Sequence, residues 1–61
     1  MRPIFIYRPT VAAAARPYLR GLPYGLRVRL RTTYRWGGEV YAETLGGQLI
    51  GLVPAACLDR A

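Results

Sequence analysis

The chemistry open to this chain is narrow, because it contains no histidine, serine, asparagine or lysine. General acid or base roles fall to Glu39, Glu43, Asp59 or a tyrosine. Both glutamates are expected beside arginines, which holds them ionised and makes them poor proton donors at neutral pH. The glycine pairs at 37–38 and 46–47 could suggest a phosphate-cradling loop, but neither precedes a helix carrying a lysine, and hairpin turns account for both. With Cys57 as the only cysteine and no histidine, the usual zinc ligand sets cannot be assembled. No catalytic residue, metal or cofactor is expected.

Binding chemistry is better supplied. Nine arginines face three acidic residues, giving a net charge of +6 and a pI near 10.5, the balance of many polyanion binders. A GC-rich genome also favours arginine over lysine, so the bias has a second explanation. "TYRWGG" places Tyr34, Arg35 and Trp36 at the tip of an expected hairpin, where flat rings can stack on unpaired bases and a guanidinium can neutralise phosphate. Arg8, Arg16, Tyr18 and Arg20, in the loop-rich N-terminal half, extend this candidate nucleic-acid surface. The expected ligand is single-stranded DNA or RNA in preference to duplex. The competing reading has Trp36 and Tyr34 capping the core and the arginines merely solvated.

These side chains need elements to hold them. "PIFIY" (3–7) reads as a short strand entered through Pro3. Thr10 is a candidate N-cap for "VAAAAR", and Pro17 limits that helix to one or two turns because it disfavours helical geometry at Arg16. "PYLRGLPYG" (17–25) has the prolines and glycines of a loop. "LRVRL" then alternates, with Leu26, Val28 and Leu30 on one face and Arg27, Arg29 and Arg31 on the other. "EVYAETL" alternates again, with Val40, Ala42 and Thr44 facing in and Glu39, Tyr41 and Glu43 facing out.

A hairpin centred near Arg35 would pair Arg31 with Glu39, Arg29 with Tyr41 and Arg27 with Glu43. Each outer-face pair would contribute roughly 0.2–1 kcal/mol. In another register the arginine ladder would be free to meet a ligand. Gly46 and Gly47 suit a two-residue primed turn, after which Leu49, Gly51 and Val53 join the inner face. Ile50 and Leu52 then share the outer face with Tyr41. With Pro54, these residues form a candidate docking patch for a protein partner. Pro54 ends the strand, "AACLD" reads as a closing helical turn, and Cys57 is expected to fill the core.

At "GQLIGLVPAACLD", with the preceding "LPYGLRVRL", the chain resembles Src-homology-three domains, over about residues 21–59. The resemblance implies a small barrel with a last strand after the helical turn, and a peptide groove in which Trp36 and Pro54 stand at the family's tryptophan and proline. Cys57 stands where that groove has a tyrosine. "LRVRL" followed by "EVYAETLGGQLIGLVP" also resembles HIRAN domains, which implies a small barrel binding single-stranded DNA ends, although "RTTYRWGGE" lacks that family's arginine-glutamate-proline stretch.

The expected fold is mainly β: one SH3-like β-barrel domain over residues 1–61 with a short N-terminal helical element. A chain of 61 residues sits at the lower edge of independent folding, so a protein partner or homo-oligomer is a further expectation. No run approaches the roughly 18 apolar residues of a membrane span, and the N-terminus lacks the apolar core of a signal peptide. The expected location is cytoplasmic.

Overall fold

The computed structural model describes residues 3–32 and 35–61. Its elements in chain order are β1 (Phe5–Tyr7), α1 (Val11–Ala14), a 3₁₀ turn (Pro17–Leu19), β2 (Leu26–Leu30), β3 (Glu39–Thr44), β4 (Leu49–Pro54), a second 3₁₀ turn (Ala55–Cys57) and β5 (Leu58–Arg60). The fold is mainly β, one antiparallel sheet in the order β4-β3-β2-β1-β5. The expected closing turn covers only Ala55–Cys57. Leu58, Asp59 and Arg60 continue as a strand beside β1, opposite Tyr7, Ile6 and Phe5.

Local signals explain the N-terminal half. The Thr10 side chain accepts a hydrogen bond from the Ala13 N–H at 3.2 Å and caps α1. Arg16, ahead of Pro17, is extended at φ −61°, ψ 136°, which stops the helix and turns the chain back across the sheet. Ala13 and Leu19 are thereby buried with Tyr7, Val28, Ala42, Val53 and Cys57 in one cluster, against which Phe5, Leu22, Leu26, Ile50 and Leu58 pack. Cys57 is a free thiol in this core. The Tyr7 hydroxyl is buried there without a hydrogen-bond partner among the described residues, and burial pushes its phenol above the ordinary value.

The β2–β3 register differs from the sequence expectation by two residues. Arg29 lies opposite Glu43, Leu30 opposite Ala42 and Val28 opposite Thr44, so the pairs Arg31–Glu39, Arg29–Tyr41 and Arg27–Glu43 do not form. The tight turn lies at the glycines. Trp36 and Glu39 exchange two backbone hydrogen bonds of 3.0 Å around Gly37 and Gly38, at φ 59° and 76°, the two left-handed positions that a type I′ turn requires. That turn alone would bring Leu30 opposite Leu45; the observed pairing with Ala42 leaves a three-residue offset between the turn and the β2–β3 ladder, so the register follows neither from a turn centred at Arg35 nor from the glycine turn by itself. A displacement of two preserves the side-chain faces, which is why Val28, Val40 and Ala42 are still buried.

The second hairpin corrects another expectation. Its loop has three residues, Leu45, Gly46 and Gly47. The Gly47 N–H donates to the Thr44 carbonyl at 2.9 Å, the Thr44 N–H donates to the Gln48 carbonyl at 2.9 Å, and of the two glycines only Gly47 has positive φ. A shift of register between Ala42 and Glu43 then restores the pairing of Ala42 with Gly51 and Val40 with Val53, as a β-bulge does. It exchanges two side chains: Leu49 lies opposite Glu43 and is exposed, whereas Ile50 packs on the core. Leu49 was expected inside and Ile50 outside. Among the described residues no helix is long and apolar enough to cross a membrane.

Candidate functional site

The turn at Gly37–Gly38 and the β3–β4 register together build a cleft. Tyr41 and Leu52 face each other across the strands on the outer side of the sheet, and Trp36 stands beside them at the start of the turn. Trp36, Glu39, Tyr41 and Leu52 line an open cleft of about 260 Å³. Trp36 is 68 % and Tyr41 43 % exposed. Both rings are thus available to a flat ligand, with the strands fixing their backbones.

Glu39 is the charged group in this lining, and Arg16 holds it. The two terminal nitrogens of Arg16 donate to the two carboxylate oxygens at 2.7 Å each, the bidentate geometry in which arginine pairs most strongly. Arg16 also donates to the Tyr18 hydroxyl at 3.1 Å and to the Leu52 carbonyl at 3.3 Å, and the Tyr18 hydroxyl donates to that carbonyl at 2.8 Å. The hydrogen bonds from Arg16 hold the Glu39 carboxyl below its ordinary value of 4.5, and the same bonds raise the Arg16 guanidinium further above its own. The Tyr18 ring covers Gly51 so closely that a Cβ there would lie 2.9 Å from two ring carbons.

The residues expected to bind nucleic acid are dispersed. Arg8 is paired with Asp59 at 2.7 Å, Arg16 and Tyr18 are engaged at the β4 edge, and Arg20 is exposed. Arg35 borders a separate hollow of about 40 Å³ with Phe5, Leu30, Val40, Ala55 and Leu58. Tyr34 lies outside the described residues. Of the docking patch, Tyr41 and Leu52 join Trp36 in the cleft, Pro54 lies opposite Glu39 and is half-buried, and Ile50 is turned to the core. One cleft thus combines members of both sets.

The arginine ladder shares the outer side. Arg31 donates its backbone N–H to the Tyr41 carbonyl at 2.9 Å. Its side chain leans along the sheet, with Nε 3.0 Å from the Glu43 carboxylate and a terminal nitrogen 2.9 Å from the Gly47 carbonyl. Arg29 reaches the Leu45 carbonyl at 3.4 Å, and Arg27 is exposed. Each of the three carboxylates is in an ion pair: Asp59 with Arg8, Glu39 with Arg16 and Glu43 with Arg31. No local pattern signals the Arg16–Glu39 clamp, which joins residues 23 apart. "WGGE" did carry a signal for the cleft, since a two-residue turn at its glycines brings Trp36 back beside β3.

Comparison with protein-family models, curated proteins and solved structures finds no match for this chain.

Proposed function

We propose that the chain is a small SH3-like barrel acting as a non-catalytic module that binds single-stranded nucleic acid, with a base stacked in the Trp36–Tyr41 cleft. The observation that carries this reading is the pairing of two exposed aromatic rings with a surface whose acidic side chains are all committed to ion pairs. The net charge of +6 is therefore presented with each carboxylate already neutralised by an adjacent arginine. Stacking on such rings contributes about 1–3 kcal/mol per base and tolerates any sequence. At about 260 Å³ the cleft is just below the roughly 300 Å³ at which drug-sized sites begin, a size suited to one flat ring system. The strand order β4-β3-β2-β1-β5 and the 3₁₀ turn between β4 and β5 support the barrel assignment. A cytoplasmic setting belongs to the same proposal.

A second reading has its own observation. Trp36, Tyr41 and Leu52 make the cleft largely apolar, which suits a segment of a partner protein docked without phosphate contacts. Salt separates the two. Nucleic-acid affinity, followed by the fluorescence anisotropy of a labelled oligonucleotide, falls with salt at a log-log slope of about 0.7 per phosphate neutralised on a single strand. Arg27→Ala lowers that slope, whereas Leu52→Asp disrupts a protein complex. If folded Trp36→Ala and Tyr41→Ala variants bind oligonucleotides like the parent, the nucleic-acid reading of the cleft is wrong and the docking reading replaces it.

A further inference from the structure

The geometry points to Arg16 as the residue that sets the charge specificity of the cleft: by clamping Glu39 it turns a site that would accept a cation into one that accepts an anion. The inference deepens the nucleic-acid reading and rests on the cleft described for it. Glu39 lies in the cleft wall beside Trp36 and Tyr41, and its side chain keeps 27 % of its exposure even with Arg16 in place. A carboxylate next to two aromatic faces is what a guanidinium or ammonium ligand needs, since the rings attract a cation over their faces and the carboxylate pairs with it. Arg16 already occupies that role from within the chain. Its guanidinium meets both carboxylate oxygens at 2.7 Å and is anchored from behind by the Leu52 carbonyl and the Tyr18 hydroxyl.

The surrounding chain explains why the clamp is held. Arg16 is fixed in an extended conformation ahead of Pro17, which directs the following Tyr18 onto Gly51. The absence of a side chain at Gly51 lets the Tyr18 ring approach the strand, and that approach brings its hydroxyl to Leu52. A phosphate near the cleft then meets a neutral pair, where an unclamped Glu39 would repel it; like charges brought together at an interface oppose binding.

Trp36 is the only tryptophan in the chain, so its fluorescence reports the cleft directly. Titrations with a ten-nucleotide oligothymidine and with N-acetyl-arginine amide are compared for the parent, Arg16→Gln and the double variant Arg16→Gln/Glu39→Gln. Arg16→Gln is expected to lower oligothymidine affinity about three- to tenfold at low salt and to gain saturable quenching by the arginine amide, which the parent lacks. Adding Glu39→Gln restores oligothymidine affinity and removes the gained cation binding, a reversal that a purely structural role for Arg16 would not produce. Failure of Glu39→Gln to reverse either change, or parent-like behaviour of folded Arg16→Gln in both titrations, overturns the inference. Should Arg16→Gln not fold, Arg16→Lys keeps the positive charge and is expected to retain oligothymidine affinity; a folded Arg16→Lys that loses it overturns the inference equally. A parent that binds no oligothymidine overturns the nucleic-acid function, while the arginine-amide titrations still decide the role of Arg16.

Discussion

Glu43 is 7 % exposed, faces Arg29 across the β2–β3 ladder and accepts from the Arg31 Nε at 3.0 Å. The Arg29 Nε is itself buried without a hydrogen-bond partner among the described residues, so the carboxylate is the negative charge set against two guanidiniums. Glu43→Gln keeps the shape and an acceptor oxygen but removes that charge, and the expected cost is about 1–3 kcal/mol. For a domain of this size each kcal/mol moves the Tm by roughly 4–8 °C, so thermal unfolding followed by circular dichroism should show a fall of about 4–24 °C. Glu43→Lys adds a third cation and should cost about 3–5 kcal/mol, the loss seen when a buried pair is broken. Arg27→Glu is the control, because Arg27 lies opposite Ile6 of β1 and not opposite Glu43. A Tm within about 2 °C of the parent for Glu43→Gln, or a larger loss for Arg27→Glu than for Glu43→Gln, would refute the observed register as the source of stability.

Gly51→Ala should destabilise by about 2–4 kcal/mol, since alanine is strained at φ 129° and its Cβ would strike the Tyr18 ring at 2.9 Å, loosening the bond to Leu52; a denaturation midpoint equal to the parent's would contradict this contact. The Glu39 carboxyl has its pKa depressed in the folded chain, so the stability it contributes is complete above its ordinary value of 4.5 and is lost as pH falls through the folded pKa. The difference in urea midpoint between the parent and Glu39→Gln should accordingly shrink in acid, and a difference independent of pH would count against the clamp. Tyr7→Phe removes a buried hydroxyl that has no partner among the described residues and should leave the Tm unchanged or raise it; a fall of more than about 4 °C would reveal a bond made by that hydroxyl.

Side-chain alternation made the strands legible. Leu26, Val28 and Leu30 against Val40, Ala42 and Thr44 identified the inward faces, and those faces survive a two-residue error in register because strand periodicity is two. The register was not legible, because no local signal marks the three-residue offset between the β2–β3 ladder and the Gly-Gly primed turn that precedes β3. Gly37–Gly38 forms it, whereas Leu45 joins Gly46 and Gly47 in a longer loop that needs a bulge at Ile50 to recover the pairing. That bulge is a tertiary solution, and it moved Ile50 out of the expected patch. Arginine partners were the least legible feature. Arg8 finds Asp59 at a separation of 51 residues and Arg16 finds Glu39 at 23, contacts decided by the return of β5 to β1 and of the N-terminal arm to β4. The rings of the cleft were each picked out from sequence, Trp36 for bases and Tyr41 with Leu52 for a protein; their meeting in one site depended on the turn.

The most direct test of the proposed function is the affinity of Tyr41→Ala for a ten-nucleotide oligothymidine, measured by Trp36 fluorescence at fixed salt beside the parent and a duplex of equal length. Losing one stacked base predicts a fall of about 5- to 150-fold for the single strand, from about 1–3 kcal/mol of stacking, with an unchanged salt slope and little change for the duplex. An oligothymidine affinity equal to the parent's in a folded Tyr41→Ala, or an equal loss for single strand and duplex, would contradict stacking in the cleft.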